Sequence, residues 1–185
     1  IILLESFGAE YTKINKSGRS SYTPFLDSLM DVSINYTNAY ANGLRSMDAV
    51  ASVYGGVPSL MKQPLLGSLY STVELSSLPS KLEELGYFSS FYHAADELSM
   101  GFKPFLLSQG LDEYQAKQQY PNTADFDGTW GIFDGPYLRY VSEKLTQQNQ
   151  PWISGIFTLS SHHPYKVPEK YRHLPKGTSE IHQSV

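Results

Sequence analysis

Residues 75–94 read "LSSLPSKLEELGYFSSFYHA", and their order decides the fold class. Leu78, Leu82 and Leu85 recur at helical spacing and Gly86 supplies a stop, so the first half predicts an amphipathic helix. The second half, from Tyr87, is aromatic-rich and apolar and predicts a strand ending at His93. A helix that hands over to a buried strand across one glycine is half of an α/β repeat.

The same alternation extends outward in both directions. Upstream, "IILLES" (1–6) is a short branched run that predicts a central strand of a parallel sheet and delivers Glu5 at its C-terminal end. "SSYTPFLDSLM" (20–30) places a Thr23 cap before Pro24 at a first helical position. "VSINYTNAYA" (32–41) is β-branched and aromatic and predicts a second strand. "GLRSMDAVASVYGG" (43–56) predicts a helix opening at Ser46 and stopping at Gly55-Gly56. Downstream, "SMGFKPFLLSQGLDEY" (99–114) predicts a short helix and a turn at Gly110, and residues 115–130 a polar surface loop holding Asp125, Asp127 and Trp130. "GPYLRYVSEKLTQQN" (135–149) predicts a helix starting at Pro136 with Leu138, Val141 and Leu145 on one face. "PWISGIFTLSS" (151–161) predicts a fourth strand that runs into "HHPY". The expectation is an α/β fold: a mostly parallel central sheet with helices on both faces.

At 185 residues and 41% hydrophobic content, the chain is long enough for one sizeable core, and nothing in its length asks for two domains. The formal net charge is −4, with lysines and arginines scattered, which argues against nucleic acid and for a small molecule or polar head group. There is no cysteine, which excludes a disulfide framework, a thiolate metal site and a cysteine nucleophile. No apolar run approaches the roughly 20 residues that span a bilayer. The abrupt start at "IILLES" and the cut-short helix start at "TSEIHQSV" (178–185), with Thr178 or Ser179 as N-cap, lead us to expect a fragment of a longer protein.

In parallel α/β sheets, sites form beyond the carboxyl ends of the strands. That rule gathers Glu5, the residues just after Ala41, His93 and His162-His163. Each has a plain structural reading as well: a strand-end Glu is commonly solvated, a lone His is commonly a hydrogen-bonded loop residue, and a Ser opening a helix satisfies a backbone N–H as its cap. The pair of imidazoles before Pro164 is less ordinary, because it sets titratable groups on a stiff turn. A helix N-terminus also favours a bound phosphate or sulfate. Ser46 is therefore either a cap or a nucleophile: no Lys or His adjoins it to lower its pKa, but Arg45 is placed to steady an anion, and a metal held by carboxylates such as Glu5 would activate it. Carboxylate and imidazole ligands suit Mn, Zn or Mg alike.

Taken in order, "IILLESFGAEY", "TPFLDSL", "YTNAYANGLRSMDAVASVYGGVPSL", "FDGTWGIFD" and "FTLSSHHPYKVPEKY" resemble the sulfatase-like, lipoteichoic acid synthase-type (phosphoglycerol transferase) branch of the alkaline phosphatase superfamily. The resemblance covers nearly the whole chain. It implies an α/β core in which a strand-end Glu and a helix-opening Thr or Ser bind a divalent metal, usually Mn in this branch, with Zn, Mg or Ca as alternatives. It further implies that the hydroxyl attacks a phosphodiester and carries a glycerol-phosphate group before passing it on. By position, Glu5 and Ser46 are the implied metal ligands, with Ser46 also the nucleophile. His162 of "SSHHPY" matches a substrate-binding histidine, and Trp130, His93 and Asp127 match less distinctive positions lining the head-group pocket.

One departure shapes the functional expectation. The family completes its metal site with an Asp-His pair on a later strand, and this chain contains no such dipeptide and no Asp after Asp134. The resemblance thus implies that residues 1–185 are the N-terminal part of a single sulfatase-like catalytic domain, truncated C-terminally, inactive alone and binding metal weakly or not at all. It implies a parent anchored in the cell membrane, with the catalytic domain facing the periplasm or exterior and acting on a lipid or glycan head group that bears phosphoglycerol or sulfate. Two alternatives stand beside the transferase or hydrolase. A sulfatase is one, although Ser46 is followed by "MDAV" and not by the Cys/Ser-x-Pro-x-Arg pattern of formylglycine enzymes. The other is a non-catalytic head-group-binding domain of the same fold.

Overall fold

In a computed structural model, which describes residues 1–15 and 21–185, the regular elements run β1 (Ile2–Leu3), α1 (Pro24–Met30), α2 (Ser46–Gly55), α3 (Leu78–Glu83), β2 (Phe88–His93), α4 (Phe102–Ser108), β3 (Glu113–Gln115), α5 (Asp134–Leu145) and β4 (Trp152–Phe157). Short 3-10 turns lie between them. The strands form one four-stranded sheet of order β1-β4-β2-β3, and every strand pair in it is parallel. The chain divides into two units. The first holds Ile1–Leu3 and Ala41–Leu159, and the second Leu4–Tyr40 and Ser160–Val185.

The sheet belongs to the first unit and is covered on both faces, as expected. Because alternate strand residues face opposite ways, Phe91 and Phe157 join Val50, Ala51 and Tyr54 of α2 and Phe102, Phe105 and Leu106 of α4 in one buried cluster. Tyr92 joins Tyr137 and Val141 of α5, with Ile132 and Leu159, in the other. Each fully buried ring contributes about 2 kcal/mol of apolar transfer energy. Helix α3 begins at the Ser77 cap, whose Oγ accepts from Ser80 N at 3.1 Å. Gly86 at φ 79° then turns the chain into β2.

Several sequence expectations need correction. Among the described residues β1 pairs with β4 alone, on one side, where a central strand was expected. The expected strand at 32–41 does not form: Val32, Ile34, Tyr36 and Tyr40 are 82%, 82%, 81% and 90% exposed, and Asn35 Nδ2 donates instead to Met30 O (2.6 Å) and Ser33 O (3.2 Å). β propensity records fit to a half-buried pleated surface, and no described strand lies alongside this segment. β3 was missed because three residues carry too little periodicity to register; Tyr114 stacks on Phe91 at 5.7 Å between ring centroids. The expected loop at 115–130 accordingly begins inside that strand and includes two 3-10 turns, Lys117–Gln119 and Thr123–Asp125. In α5 the buried face is Tyr137 and Val141, while Leu138 is exposed.

In the second unit, Tyr11 O accepts from Tyr22 N (2.9 Å), Ser21 Oγ (3.1 Å) and Thr23 Oγ1 (3.3 Å). Thr23 therefore precedes α1 without capping it through its side chain. Tyr22 stacks on His182 at 4.1 Å. The His182 ring nitrogen Nδ1 accepts from Thr178 N and Ser179 N, both at 3.1 Å, which closes the short turn Glu180–Gln183 that the sequence read as a helix start.

Candidate active site

Arg45 is extended (φ −132°, ψ 151°) and is the residue at which α2 begins, so Ser46 is the first helical residue and not the cap. Capping therefore does not account for the serine. The segment that delivers it is stapled to its own helix. Asn42 Nδ2 donates to Ser52 Oγ at 3.2 Å, and Ser52 Oγ donates to Asp48 O at 2.8 Å. The helix ends on Gly56, left-handed at φ 65°, and its inner face (Val50, Ala51, Tyr54) is buried on the sheet.

At the carboxyl end of β2, His93 is 0% exposed. Its ring packs against Phe102 (5.2 Å) and Phe157 (5.5 Å). Nδ1 lies 3.3 Å from the Tyr114 hydroxyl, while Nε2 is buried with no partner among the described residues. Burial lowers its pKa to about 4, which keeps the ring neutral. Burial also raises the Tyr114 phenol, so that pair is a neutral hydrogen bond.

The loop carrying Trp130 is fastened to the extension of β2. Ile132 N donates to Ala94 O at 3.0 Å, and Ala95 bridges Gly131. A Cβ at Gly131 would fall 2.1 Å from Ala94 O, so only glycine permits this approach. Asp127 Oδ1 accepts from the backbone N–H groups of Thr129 (2.6 Å), Trp130 (2.8 Å) and Gly131 (3.2 Å). The carboxylate thus shapes the turn, and Trp130, 46% exposed, is presented at its tip.

Glu5 and His162 lie in the second unit. Ser161 Oγ donates to the Glu5 carbonyl, tying the two segments together. Ser6 Oγ donates to Glu5 Oε1 at 2.7 Å. Ser6 (φ 49°) and Tyr165 (φ 58°) are non-glycine residues in the left-handed region, a strain that clusters at functional sites. His162 Nδ1 donates to His163 O at 2.7 Å. Beyond the His162-x-Pro164-Tyr165 turn lies a cleft of about 640 Å³ lined by Pro164, Tyr165, Lys176, Thr178, Ser179 and Glu180 among others.

Asp127 and Trp130 are therefore brought together in the first unit, and Glu5 and His162 in the second. The sequence reading missed Asp48, a carboxylate only 4% exposed that pairs with Arg45 at 3.2 Å. Its signal was an acid in the first turn of an otherwise apolar helix. Glu5 and the Ser46 hydroxyl are hard oxygen donors of the kind that suits Mn or Mg. Among the described residues, no group of three or more His, Asp or Glu side chains is arranged to hold a metal ion.

A family model described as Sulfatase matches residues 1–181. The lipoteichoic acid synthase-like protein YvgJ of Bacillus subtilis is 22% identical over 151 residues, which are 80% of this chain and 24% of that protein. Among solved structures, an alkaline phosphatase superfamily protein from Vibrio parahaemolyticus superposes with a TM-score of 0.84 at 26% identity, covering 99% of this chain and 46% of that one. The lipoteichoic acid synthase LtaP of Listeria monocytogenes gives 0.81 at 21%, covering 99% and 48%. The C-terminal periplasmic domain of Escherichia coli EcEptC, solved in complex with Zn, gives 0.67 at 15%, covering 99% and 53%. The chain thus spans about half the length of these solved relatives. Its parallel α/β sheet is the fold of the alkaline phosphatase superfamily, and the chain belongs to the sulfatase family.

Proposed function

We propose that this chain carries the nucleophile half of a metal-dependent phosphoglycerol or phosphodiester transferase or hydrolase acting on a lipid or glycan head group. The observation that carries this reading is Ser46 at the first helical position of α2, where capping does not explain it, in a chain of the sulfatase family. The Ser46 oxygen attacks phosphorus: the Oγ–P bond forms, the P–O bond to the first alcohol breaks, and the serine proton leaves with that alcohol. Water or an acceptor hydroxyl then attacks the phosphorus, the Oγ–P bond breaks, and the incoming group's proton passes to the Ser46 oxygen, restoring the hydroxyl. The partial positive charge at the start of α2 favours the anion that forms there. Trp130, His162, His93 and Asp127 are proposed to bind the head group.

Glu5 and Ser46 would hold the divalent metal, for which Mn is proposed and Zn, Mg or Ca are alternatives. Bound there, it would supply Lewis-acid activation of the hydroxyl. With only these two ligands proposed from this chain, residues 1–185 are read as the N-terminal part of one catalytic domain, in support of which the chain covers 46% and 48% of two solved relatives. A membrane-anchored parent with its catalytic domain outside is proposed from the kinship with lipoteichoic acid synthase-like proteins. Among the described residues, no helix is long and apolar enough to cross a membrane.

The test is hydrolysis of bis(4-nitrophenyl) phosphate and of a glycerophosphodiester, with and without Mn, by the parent polypeptide and by this chain. We expect turnover by the parent, a loss of at least about a thousandfold in its Ser46→Ala variant, and none by residues 1–185 alone. Undiminished turnover by Ser46→Ala removes the nucleophile assignment. Head-group binding without any turnover by the parent would favour the non-catalytic alternative, and cleavage of sulfate but not phosphate esters the sulfatase.

A further inference from the structure

Arg45 and Asp48 are not explained by the reaction as written, yet they are built with care. Asp48 lies in the first turn of α2 with its side chain buried, beside a small cavity walled by Ala51, Val57, Pro58 and Met61. A carboxylate in such surroundings is costly without a charged partner. Its partner is Arg45, whose Nε donates to Asp48 Oδ2 at 3.2 Å. The other side of the same guanidinium is pinned as well: Nη2 donates to Lys62 O at 2.9 Å. The arginine side chain is nevertheless 46% exposed. Its fork is thus held at two points while still open to solvent, on the residue that precedes Ser46.

The backbone is shaped to permit this pairing. A Cβ at Gly43 would lie 2.4 Å from Asp48 Cβ and 2.8 Å from its Oδ2, so the segment before Ser46 folds over the carboxylate only because residue 43 is glycine. A flexible surface arginine loses rotamer entropy when it grips an anion, whereas one fixed in advance by a buried carboxylate and a carbonyl has already lost it.

We propose that Asp48 is a positioning residue that fixes the Arg45 guanidinium beside Ser46, so that Arg45 grips the phosphate of the ester bound there. The proposal rests on the phosphodiester reading above. Asp48 acts through Arg45 and touches no ligand itself. A lysine at 45 supplies the charge but not a fork that can hold Asp48, the Lys62 carbonyl and a phosphate at once.

The test is calorimetric titration of the parent polypeptide with sn-glycerol 3-phosphate, and with inorganic phosphate as the simpler probe. Arg45→Gln is expected to weaken binding about tenfold, the worth of one charge-assisted hydrogen bond. Asp48→Asn is expected to weaken it comparably, and this effect should vanish in the Arg45→Gln background, because Asp48 then has nothing to position. An equal effect of Asp48→Asn in both backgrounds marks a merely structural role and overturns the proposal. If Asp48→Asn does not fold, Arg45→Lys decides: most of the affinity should be lost, and unchanged affinity overturns the proposal. Wild-type binding indifferent to Arg45→Gln rejects this inference alone. Absence of saturable wild-type binding to either probe rejects the phosphodiester reading and this inference with it.

Discussion

The Tyr54 hydroxyl occupies the space that a side chain at Gly155 would need: a Cβ there would lie 1.6 Å from the Tyr54 oxygen and 2.7 Å from Phe91 Cδ2. Helix α2, which begins at Ser46, is thereby seated on the middle of β4 through its last turn, and the seat sets where its first turn stands. Gly155→Ala is expected to cost at least about 3 kcal/mol, because both neighbours are buried rings that cannot swing away. Urea unfolding with near-ultraviolet circular dichroism reads this, and a loss below about 1 kcal/mol would show that α2 can shift without penalty.

The same tyrosine gives a prediction of opposite sign. Its hydroxyl is buried without a hydrogen-bond partner among the described residues, and burial raises its pKa. Tyr54→Phe removes that unpaired group while keeping the ring that packs on Phe91 at 5.5 Å. Stability is expected to be unchanged or higher by about 1 kcal/mol. A clear loss in the same urea titration would mean that the hydroxyl is satisfied in solution.

His93 makes stability depend on pH in a definite direction. In the unfolded chain its imidazole titrates near 6.5, and in the folded protein burial holds it at about 4. Between those values the unfolded state binds the extra proton, so the contribution is complete above about pH 6.5 and is lost as pH falls towards about 4, to a total of about 3 kcal/mol. Unfolding at about pH 7 and about pH 5 should therefore show wild type losing about 2 kcal/mol more than His93→Phe, which keeps the ring contacts and cannot titrate. Equal losses in the two proteins would reject a buried neutral His93.

Ser89 and Asp112 tie β2 to the segment that leads into β3. Asp112 Oδ2 accepts from Ser89 N at 2.8 Å and Ser89 Oγ at 2.7 Å, and Asp112 N donates back to Ser89 Oγ at 3.1 Å. Since Ser89 is buried, Asp112→Ala leaves its backbone N–H unpaired and is expected to cost about 2 kcal/mol. Thermal unfolding is the measurement, and a shift of less than about 2 °C would mean that water replaces the carboxylate without loss.

How much of this was legible in the sequence depended on the range of the interaction involved. The α3–β2 handover at Gly86 and the stop of α2 at Gly56 are local chemistry, and both formed at the expected residues. What failed is what depends on neighbours far away in the chain. The 32–41 segment has the composition of a strand but no described strand beside it, and β1 has the composition of a central strand but, among the described residues, a partner on one side only. Ser46 shows both sides of this. Its place at the start of a helix was readable, but its being the first helical residue was not, since that depends on the extended Arg45 and on the fold of Gly43 over Asp48. The seclusion of His93 likewise came from Phe102 of the following helix and from Phe157, which is remote in sequence.

Asp127 holds the turn that carries Trp130. Three consecutive backbone N–H groups, those of Thr129, Trp130 and Gly131, converge on Asp127 Oδ1, and the close contact of Gly131 with Ala94 O fixes the far side of the turn. Trp130 itself is half exposed at the tip of this turn. Removing the carboxylate in Asp127→Ala should free the turn, raising acrylamide quenching of Trp130 fluorescence severalfold and costing about 2 kcal/mol of stability. Asp127→Asn keeps an acceptor oxygen and should fall between, with weaker hydrogen bonds for want of the charge. The measurement belongs in a Trp152→Phe background, because Trp152 is also partly exposed and would mask the signal. If Asp127 serves the head group only by presenting Trp130, then Asp127→Ala should weaken sn-glycerol 3-phosphate binding in that background and have no further effect once Trp130 is replaced by Ala. Quenching unchanged in Asp127→Ala would separate the carboxylate from the tryptophan altogether, and an effect on binding that persists without Trp130 would make Asp127 a direct contact.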